Sequence, residues 1–333
     1  PVAAASIGQV HDATLADGRR VAVKIQYPGV RSSIDSDIDN VAALLRLFKL
    51  LPAEVDVSSL LSEAKLQLHA EADYRREASS IRQFAALLDG DRRFQTPAVA
   101  DEFTTPDVLT MQYLDGQPIE SLAAESRAEV AETAAALLEL AFREVFEWGV
   151  VQTDPNFANY LYEPRTRAIQ LLDFGATRDY SAGTRASLRS MLAACTEGSD
   201  ADIHSAAMAL GYLHAEDDIP YRDAVTHLLR TATEPLRHPA YAFGSSDLAK
   251  RMQELVIDMR LRKQFGRIPP AEILFLHRKL GGLYLLLSRL RVNLPVRELV
   301  APYTLAPGDS ALQTSQPYRP GATPLTAQIG AAG

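Results

Sequence analysis

PVAAASIGQVHDATLADGRRVAVK, residues 1–24, is the stretch from which the rest of the chain is read. Three alanines, Ala3 to Ala5, are followed by Ser6, Ile7 and Gly8; then two strand-like segments, Gln9 to Leu15 and Arg20 to Gln26, flank an Ala16-Asp17-Gly18 turn. Two such segments around a glycine turn predict a β-hairpin. The hairpin brings a small-residue loop next to Lys24, the end of VAVK. A compact ammonium opposite backbone amides can hold phosphate oxygens. A lysine on a strand is also an ordinary solvated side chain, so this stretch alone leaves both readings open.

Working outward, Tyr27-Pro28-Gly29 ends the second strand, and Ile34, Ile38, Val41, Leu45 and Phe48 recur at helical spacing up to Pro52. A second helix is predicted from Ser58 to Leu88. Strands at Ala98 to Glu102 and Val108 to Tyr113 complete a small sheet, and Leu114-Asp115-Gly116 reads as a linker. Helical patterning resumes at Ser121 to Trp148 and continues to about Val292. From about Pro307 the chain is rich in Pro, Gly, Ala, Thr and Ser without periodicity, which predicts disorder. The expected plan is an α+β fold of two lobes: residues 1–114 with the sheet, residues 115–305 mainly helical, and a tail over 306–333.

Composition removes several function classes. A chain of 333 residues, 47% hydrophobic and 23% charged, can bury a large core. Its net charge of −8 supplies no basic field for nucleic acid. One cysteine, Cys195, excludes an internal disulfide and a multi-cysteine metal site. The richest apolar run, Ile273 to Leu290, is interrupted by His277, Arg278 and Lys279 and falls short of a membrane span. These three are read as structural, and Leu280 to Leu290, with Gly281-Gly282, as core in preference to a lipid contact. Pro1 falls directly before a motif, so the chain is expected to be a piece whose N-terminus, with any targeting signal, lies upstream.

Two further stretches carry chemistry. In QTDPNFANY, residues 152–160, Asp154 and Asn159 stand five apart, the spacing at which a kinase catalytic loop places a nucleophile-orienting aspartate and a metal-binding asparagine. Asp-Pro-Asn is equally turn chemistry. In LLDFGATRDY, residues 171–180, Asp173 closes an apolar run before Phe174-Gly175, where a carboxylate can hold Mg2+ against phosphates. Their order along the chain strengthens each of them: small loop, VAVK, carboxylate-bearing helix, strand pair, linker, helix, Asp154 with Asn159, then Asp173.

AAASIGQVH, VAVKIQYPGV, EADYRREA, QTDPNFANYLYEP, LLDFGATRDY and LHRKLGG together resemble the UbiB family of atypical protein-kinase-like proteins, in its coenzyme Q biosynthesis branch, over about Pro1 to Val300. The resemblance implies a two-lobed kinase-like fold, binding of ATP with Mg2+, and a role in ubiquinone production at a membrane. It implies partners among membrane lipids or isoprenoid precursors and coenzyme Q biosynthetic proteins. The location implied is the matrix side of the mitochondrial inner membrane, or a bacterial inner-membrane periphery.

Carried onto this sequence, the resemblance makes Lys24 the phosphate-pairing lysine and Glu77 its ion-pair partner; Ala3, Ala4, Ala5 and Ser6, with Met111 and Tyr113, would meet the nucleotide. Glu71 and Asp73 match an E-x-D motif, Asp154 matches the catalytic-loop aspartate, and Asn159 and Asp173 match the metal ligands. Asp73 and Glu77, at i and i+4, would share a helix face and need a cation such as Lys24 or a metal between them. Glu71 would sit about 200° from Asp73 on an unbroken helix, so either the helix bends or Glu71 serves another neighbour. HAEADYRREA also reads as a solvated face with Glu71–Arg75 and Asp73–Arg76 pairs.

Departures from an ordinary kinase bear on the activity. Alanine resists positive φ, so Ala3 to Ala5 cannot wrap phosphates as glycines do. Gln152-Thr153 replaces His-Arg before Asp154, no A-P-E follows Asp173, and the loop reads DPNFAN where the broader family has DPHPGN. The family's upstream K-x-G-Q segment is not in this sequence. These features argue against a protein substrate and for an atypical kinase or ATPase; the alternative is a weakly catalytic pseudokinase that binds nucleotide and lipid and scaffolds a biosynthetic complex.

Overall fold

The structure, a computed structural model, describes residues 1–5, 7–47, 58–261 and 269–304. Of the positions singled out above, Ser6, Phe48, Pro52 and the tail over 306–333 lie outside the described residues.

Strands β1 (Ala3–Ala5), β2 (Gly8–Thr14) and β3 (Arg20–Gln26) form an antiparallel meander. Gly18 turns β2 into β3 at φ +88, a conformation that favours glycine. The alanine stretch is therefore itself a strand, with Ala3 opposite Val10 and Ala5 opposite Gly8. Gly8 lets β2 approach the end of β3: a Cβ there would lie 2.2 Å from the Ile25 carbonyl oxygen. A fourth strand, β5 (Val108–Gln112), follows the short β4 (Phe94–Gln95) in sequence and pairs with β3, giving the order β1-β2-β3-β5.

Residues 98–102 do not form the expected strand. They contribute one bridge, Val99 to Met111, and then a 3-10 turn at Asp101–Phe103. Two backbone bonds make that bridge, Ala100 N–H to the Thr110 carbonyl at 2.8 Å and Gln112 N–H to that of Ala98 at 2.7 Å, and threonine hydroxyls tie down the turn: Thr110 Oγ1 donates to the Phe103 carbonyl at 2.9 Å, and Thr104 Oγ1 to that of Ala100 at 2.9 Å.

Helices α1 (Val30–Leu47), α2 (Ser58–Glu71) and α3 (Tyr74–Leu87) follow the meander. The single helix expected over Ser58 to Leu88 is broken at Ala72-Asp73. Asp73 leaves the helical region at φ −114, ψ 95, and its carboxylate accepts the Arg75 N–H, so it is the N-cap of α3. Ala72, fully buried, packs with Ile34 and Ile38 of α1 and fixes the corner between α2 and α3.

Beyond Leu114 come β6 (Gln117–Pro118) and α4 (Arg127–Phe142), which Ser126 caps. The helix expected from Ser121 starts six residues later, after a 3-10 segment at Ile119–Ala124; it then widens into a π-helical turn over Arg143–Trp148 that Gly149 ends at φ +70. Strands β7 (Val150–Gln152), β8 (Tyr160–Glu163), β9 (Ala168–Leu171) and β10 (Thr177–Asp179) carry the two loops of interest. β7 pairs with β10, and the second sheet runs β4-β9-β8-β6, with β4 parallel to β9. Thus residues 94–95, before the linker, pair with a strand after it.

Helices α5 (Ala182–Glu197), α6 (Asp200–Ala209), α7 (Ile219–Ala232), α8 (Leu248–Leu261), α9 (Ala271–Arg289) and α10 (Val296–Thr304) complete the chain. One core runs through both parts: Leu109 of β5, Phe84 of α3, Phe174 and Leu286 of α9 all belong to it. The Phe84 and Phe174 rings meet at 4.9 Å. Among the described residues no helix is long and apolar enough to cross a membrane.

Candidate active site

Strand periodicity brings Lys24 inside. In β3 successive side chains alternate faces, so Ala22 and Lys24 are buried while Ile25 is 41% exposed. A lysine in and an isoleucine out reverses the usual preference. Lys24 Nζ donates to Glu77 Oε1 at 2.6 Å and to Asp173 Oδ2 at 3.0 Å. Burial alone would lower the lysine pKa, but the carboxylates of Asp173 and Glu77 outweigh it and hold the ammonium above its ordinary value. Burial pushes Glu77 up, and Lys24 draws it back. For Asp173, burial also works upward, yet Lys24 and the Gly175 N–H at 3.0 Å leave it below the usual carboxylate range.

The two loops are fastened to one another. Gln152 of β7 lies opposite Thr177 of β10. Thr153 then gives both its backbone N–H, at 3.1 Å, and its hydroxyl, at 2.8 Å, to the Ala176 carbonyl. Asp154 and Asp173 consequently approach from adjoining loop ends. Asn159 Nδ2 donates to Asp154 Oδ2 at 2.6 Å, and the Asn159 carbonyl accepts the Leu172 N–H at 3.0 Å. Asn156 accepts the Ala158 N–H at 3.0 Å, so the stretch is also the turn that Asp-Pro-Asn predicts.

A cavity opens between these elements, walled by Ala5, Ile7, Lys24, Glu71, Asp154 and Asp173, with Arg278 of α9 at its edge. Gly175 marks where the acids converge: a Cβ there would lie 3.4 Å from Asp173 Oδ1, 3.7 Å from Glu77 Oε2 and 3.9 Å from Glu71 Cγ. Glu71, the last residue of α2, accepts from Gln67 Nε2 at 2.6 Å, and burial raises its pKa. Gln67 in turn accepts from Arg178, whose guanidinium stacks 3.7 Å above Phe275.

The break before α3 separates the two E-x-D carboxylates. Glu71 reaches the cavity, whereas Asp73 points to its own helix end and to Arg31 at 3.8 Å. The shared face expected for Asp73 and Glu77 is absent because Asp73 is outside the helix. Arg76, expected to pair with Asp73, reaches the Gly175 and Thr177 carbonyls instead, at 3.2 and 2.7 Å. Of the alanines, Ala5 lines the cavity, while Ala3 and Ala4 are exposed in β1. Met111 is buried opposite Ala22, and Tyr113 lies under the Arg20 guanidinium at 3.9 Å. Neither is among the described residues that line the cavity.

Tyr74 escaped the sequence reading of the site, and Arg278 and Lys279 entered it only as structural interruptions of an apolar run. Tyr74 walls the cavity, Arg278 reaches its edge, and Lys279 is buried behind it. Lys279 Nζ donates to Glu144 and, at 2.9 Å, to the Gln152 carbonyl; Glu144 Oε2 also accepts the Gln152 N–H at 3.0 Å. This clamp holds the strand that leads into Asp154. Two cations inside an apolar helix were the available signal, since an unpaired buried lysine is costly and implies a partner.

Divalent magnesium needs oxygen ligands and only one or two protein carboxylates. Among the described residues no group of three His, Cys, Asp or Glu side chains could hold a metal by itself. Asp173 and Asp154 supply carboxylates on the cavity wall, while Asn159 is not among the described residues that line it and bonds Asp154; carboxylates in this number suit a cation that takes its remaining ligands from phosphate and water.

Residues 1–207 match the model of the ABC1 atypical kinase-like domain. The chain is 36% identical over 306 residues to "Atypical kinase COQ8, mitochondrial" of Saccharomyces cerevisiae, covering 90% of this chain and 60% of that protein. It is 38% identical over 300 residues to "Atypical kinase COQ8B, mitochondrial" of Rattus norvegicus, covering 90% and 56%. It therefore spans a little over half the length of these curated relatives. Among solved structures, the complex of Rv3197 with erythromycin from Mycobacterium tuberculosis superposes with a TM-score of 0.70 at 25% identity, covering 91% of this chain and 76% of that one. With a family model matched over more than half its length and a fold to suit, the chain belongs to the ABC1 atypical kinase-like family.

Proposed function

We propose that the chain is the catalytic part of an Mg2+- and ATP-dependent atypical kinase or ATPase that supports ubiquinone (coenzyme Q) biosynthesis, with nucleotide held between a lobe of residues 1–114 and one of residues 115–305. The observation that carries it is Lys24, a buried ammonium bonded to both Glu77 and Asp173. A fixed cation beside a carboxylate that faces a polar cavity is the arrangement phosphoryl transfer requires, because most of its catalysis is positioning and charge stabilisation. Lys24 would neutralise phosphate oxygens. Asp173 and the amide oxygen of Asn159 would hold Mg2+, which when bound neutralises further phosphate charge. Asp154, oriented by Asn159 at 2.6 Å, would place a water or a small-molecule hydroxyl.

The lack of A-P-E after Asp173 favours a small acceptor over a protein. The yeast and rat relatives are named mitochondrial. Association with the matrix face of the inner membrane, contact with lipid or isoprenoid precursors, and partnership with coenzyme Q biosynthetic proteins belong to the same proposal.

The test is thermal stability and phosphate release, with and without MgATP, for the wild type, Asp173→Asn and Asp154→Asn. Ligand at a hundredfold over Kd adds about 2.7 kcal/mol to the native state, a visible melting shift. The expected pattern is a shift with turnover in the wild type, no shift in Asp173→Asn, and a shift without turnover in Asp154→Asn. Because Ala3–Ala5 form a paired strand and not a glycine wrap, a shift without turnover in every protein would assign the chain to the nucleotide-binding scaffold reading. No shift in the wild type would reject the site.

A further inference from the structure

Tyr74 opens α3 directly after the capping Asp73 and is 2% exposed. The residue is part of the wall of the cavity that Lys24, Glu77, Asp154 and Asp173 also line. Its hydroxyl oxygen is screened from solvent and has no hydrogen-bond partner. Buried tyrosine hydroxyls ordinarily find one, and an exception calls for a functional or ligand-based account.

The polar groups around it are already engaged with one another. Lys24 gives its protons to Glu77 and Asp173, Asp173 takes the Gly175 N–H, and Glu71 takes the Gln67 amide. Burial, reinforced by Glu77 and Asp173 and opposed by Lys24, pushes the phenol up to about 12. It therefore keeps its proton at neutral pH and is a donor without an acceptor. The ring itself is held firmly: the Tyr74 N–H donates to the Pro106 carbonyl at 3.0 Å, and the side chain belongs to the main core. A donor with no partner to give up loses no protein hydrogen bond when an anion reaches it, and the side chains that screen the oxygen part for that contact as the site fills.

We propose that Tyr74 is a phosphate-positioning residue whose hydroxyl donates to a phosphate oxygen of the bound nucleotide, beside the charge of Lys24. This rests on the nucleotide reading given above. It makes a prediction of opposite sign for the empty and the loaded protein. Removing a hydroxyl that has no partner should leave the empty protein as stable or more stable, while removing a donor to phosphate should weaken the loaded one.

The experiment compares Tyr74→Phe with the wild-type 333-residue chain, measuring the melting temperature without ligand and the Kd for MgATP, MgADP and adenosine. The expected result is an unchanged or raised melting temperature, a Kd for MgATP and MgADP weakened roughly tenfold or more, as for a hydrogen bond to a charged group, and an unchanged Kd for adenosine. Equal MgATP affinity in both proteins overturns the proposal and leaves the nucleotide reading intact. Failure of the wild type to bind MgATP overturns both. An equal loss for adenosine overturns the phosphate assignment, and a lower melting temperature without ligand overturns the claim that the hydroxyl lacks a partner.

Discussion

Gly282 of α9 lies so close to Pro155 that a Cβ on it would fall 2.3 Å from the proline Cβ and 3.0 Å from its carbonyl oxygen, while the neighbouring Gly281 faces open space. Pro155 follows Asp154 directly, so the helix sets the position of Asp154, the proposed water- or hydroxyl-placing residue. Gly282→Ala must displace the loop or the helix, and a misplacement of about 1 Å costs up to about 100-fold in rate. Gly281→Ala is the control: it should keep full turnover and add up to about 1 kcal/mol of helix stability. Phosphate release and denaturant unfolding of the two variants check this. Equal turnover in both would remove α9 from the description of the site.

Behind the same loop, Lys279 and Glu144 form a buried pair with side chains 6% and 2% exposed. Lys279→Met strands the carboxylate and should cost about 3–5 kcal/mol. Glu144→Gln in that background removes the stranded charge while leaving an oxygen to accept the Gln152 N–H, so the double variant should be more stable than Lys279→Met alone. Urea unfolding of the two single variants and the double variant measures the coupling. If the double variant is no more stable than Lys279→Met, the cost does not come from an unpaired charge.

What could be read from the sequence follows from how local each feature is. The β2–β3 hairpin was legible because its turn and its strand pattern lie within about twenty residues, and Lys24 came with it. The meeting of Asp154 and Asp173 at one cavity follows the order of their motifs along the chain, and the five-residue spacing of Asp154 and Asn159 appears as a direct bond between them. The break at Ala72-Asp73 was legible only as one of two alternatives, from the angle between Glu71 and Asp73, because no glycine or proline marks it. It depends on packing Ala72 against α1, a contact between segments distant in sequence. Glu71 entering the site while Asp73 stays out is a consequence of that packing. Lys279 was hidden for a similar reason: a lysine in an apolar helix reads as an interruption until its partner, 135 residues earlier, is known.

Glu71 gives the site a defined pH dependence. Burial raises its pKa above the ordinary value of about 4.3, with Gln67 opposing. The folded chain thus holds this proton where the unfolded chain has lost it, and the contribution to stability falls as pH rises through that window. Glu71→Gln removes the ionisation. Its stability should match the wild type at about pH 3, below the unfolded-state value, where Glu71 is protonated in both states, and exceed it at about pH 7. Unfolding free energies across this range check the sign. A variant less stable than the wild type at pH 7 would mean that the carboxylate gains more from a folded partner than burial costs it.

Asp73 should behave as a cap and not as a ligand. Its carboxylate accepts the Arg75 N–H at 3.0 Å and stands outside the cavity that Glu71 enters. Asp73→Ala removes the cap of α3 and should cost about 1 kcal/mol. Asp73→Asn, which caps comparably well, should cost little. Because α3 carries Glu77 to Lys24, the alanine variant loosens that helix end without touching the bonded atoms, so the Kd for MgATP should change by less than about twofold in either variant, an effect below about 0.4 kcal/mol. Chemical denaturation and nucleotide titration of both separate the two roles. If Asp73→Asn keeps its stability but loses MgATP affinity, the carboxylate meets the ligand, and α2 and α3 must rearrange when the site fills.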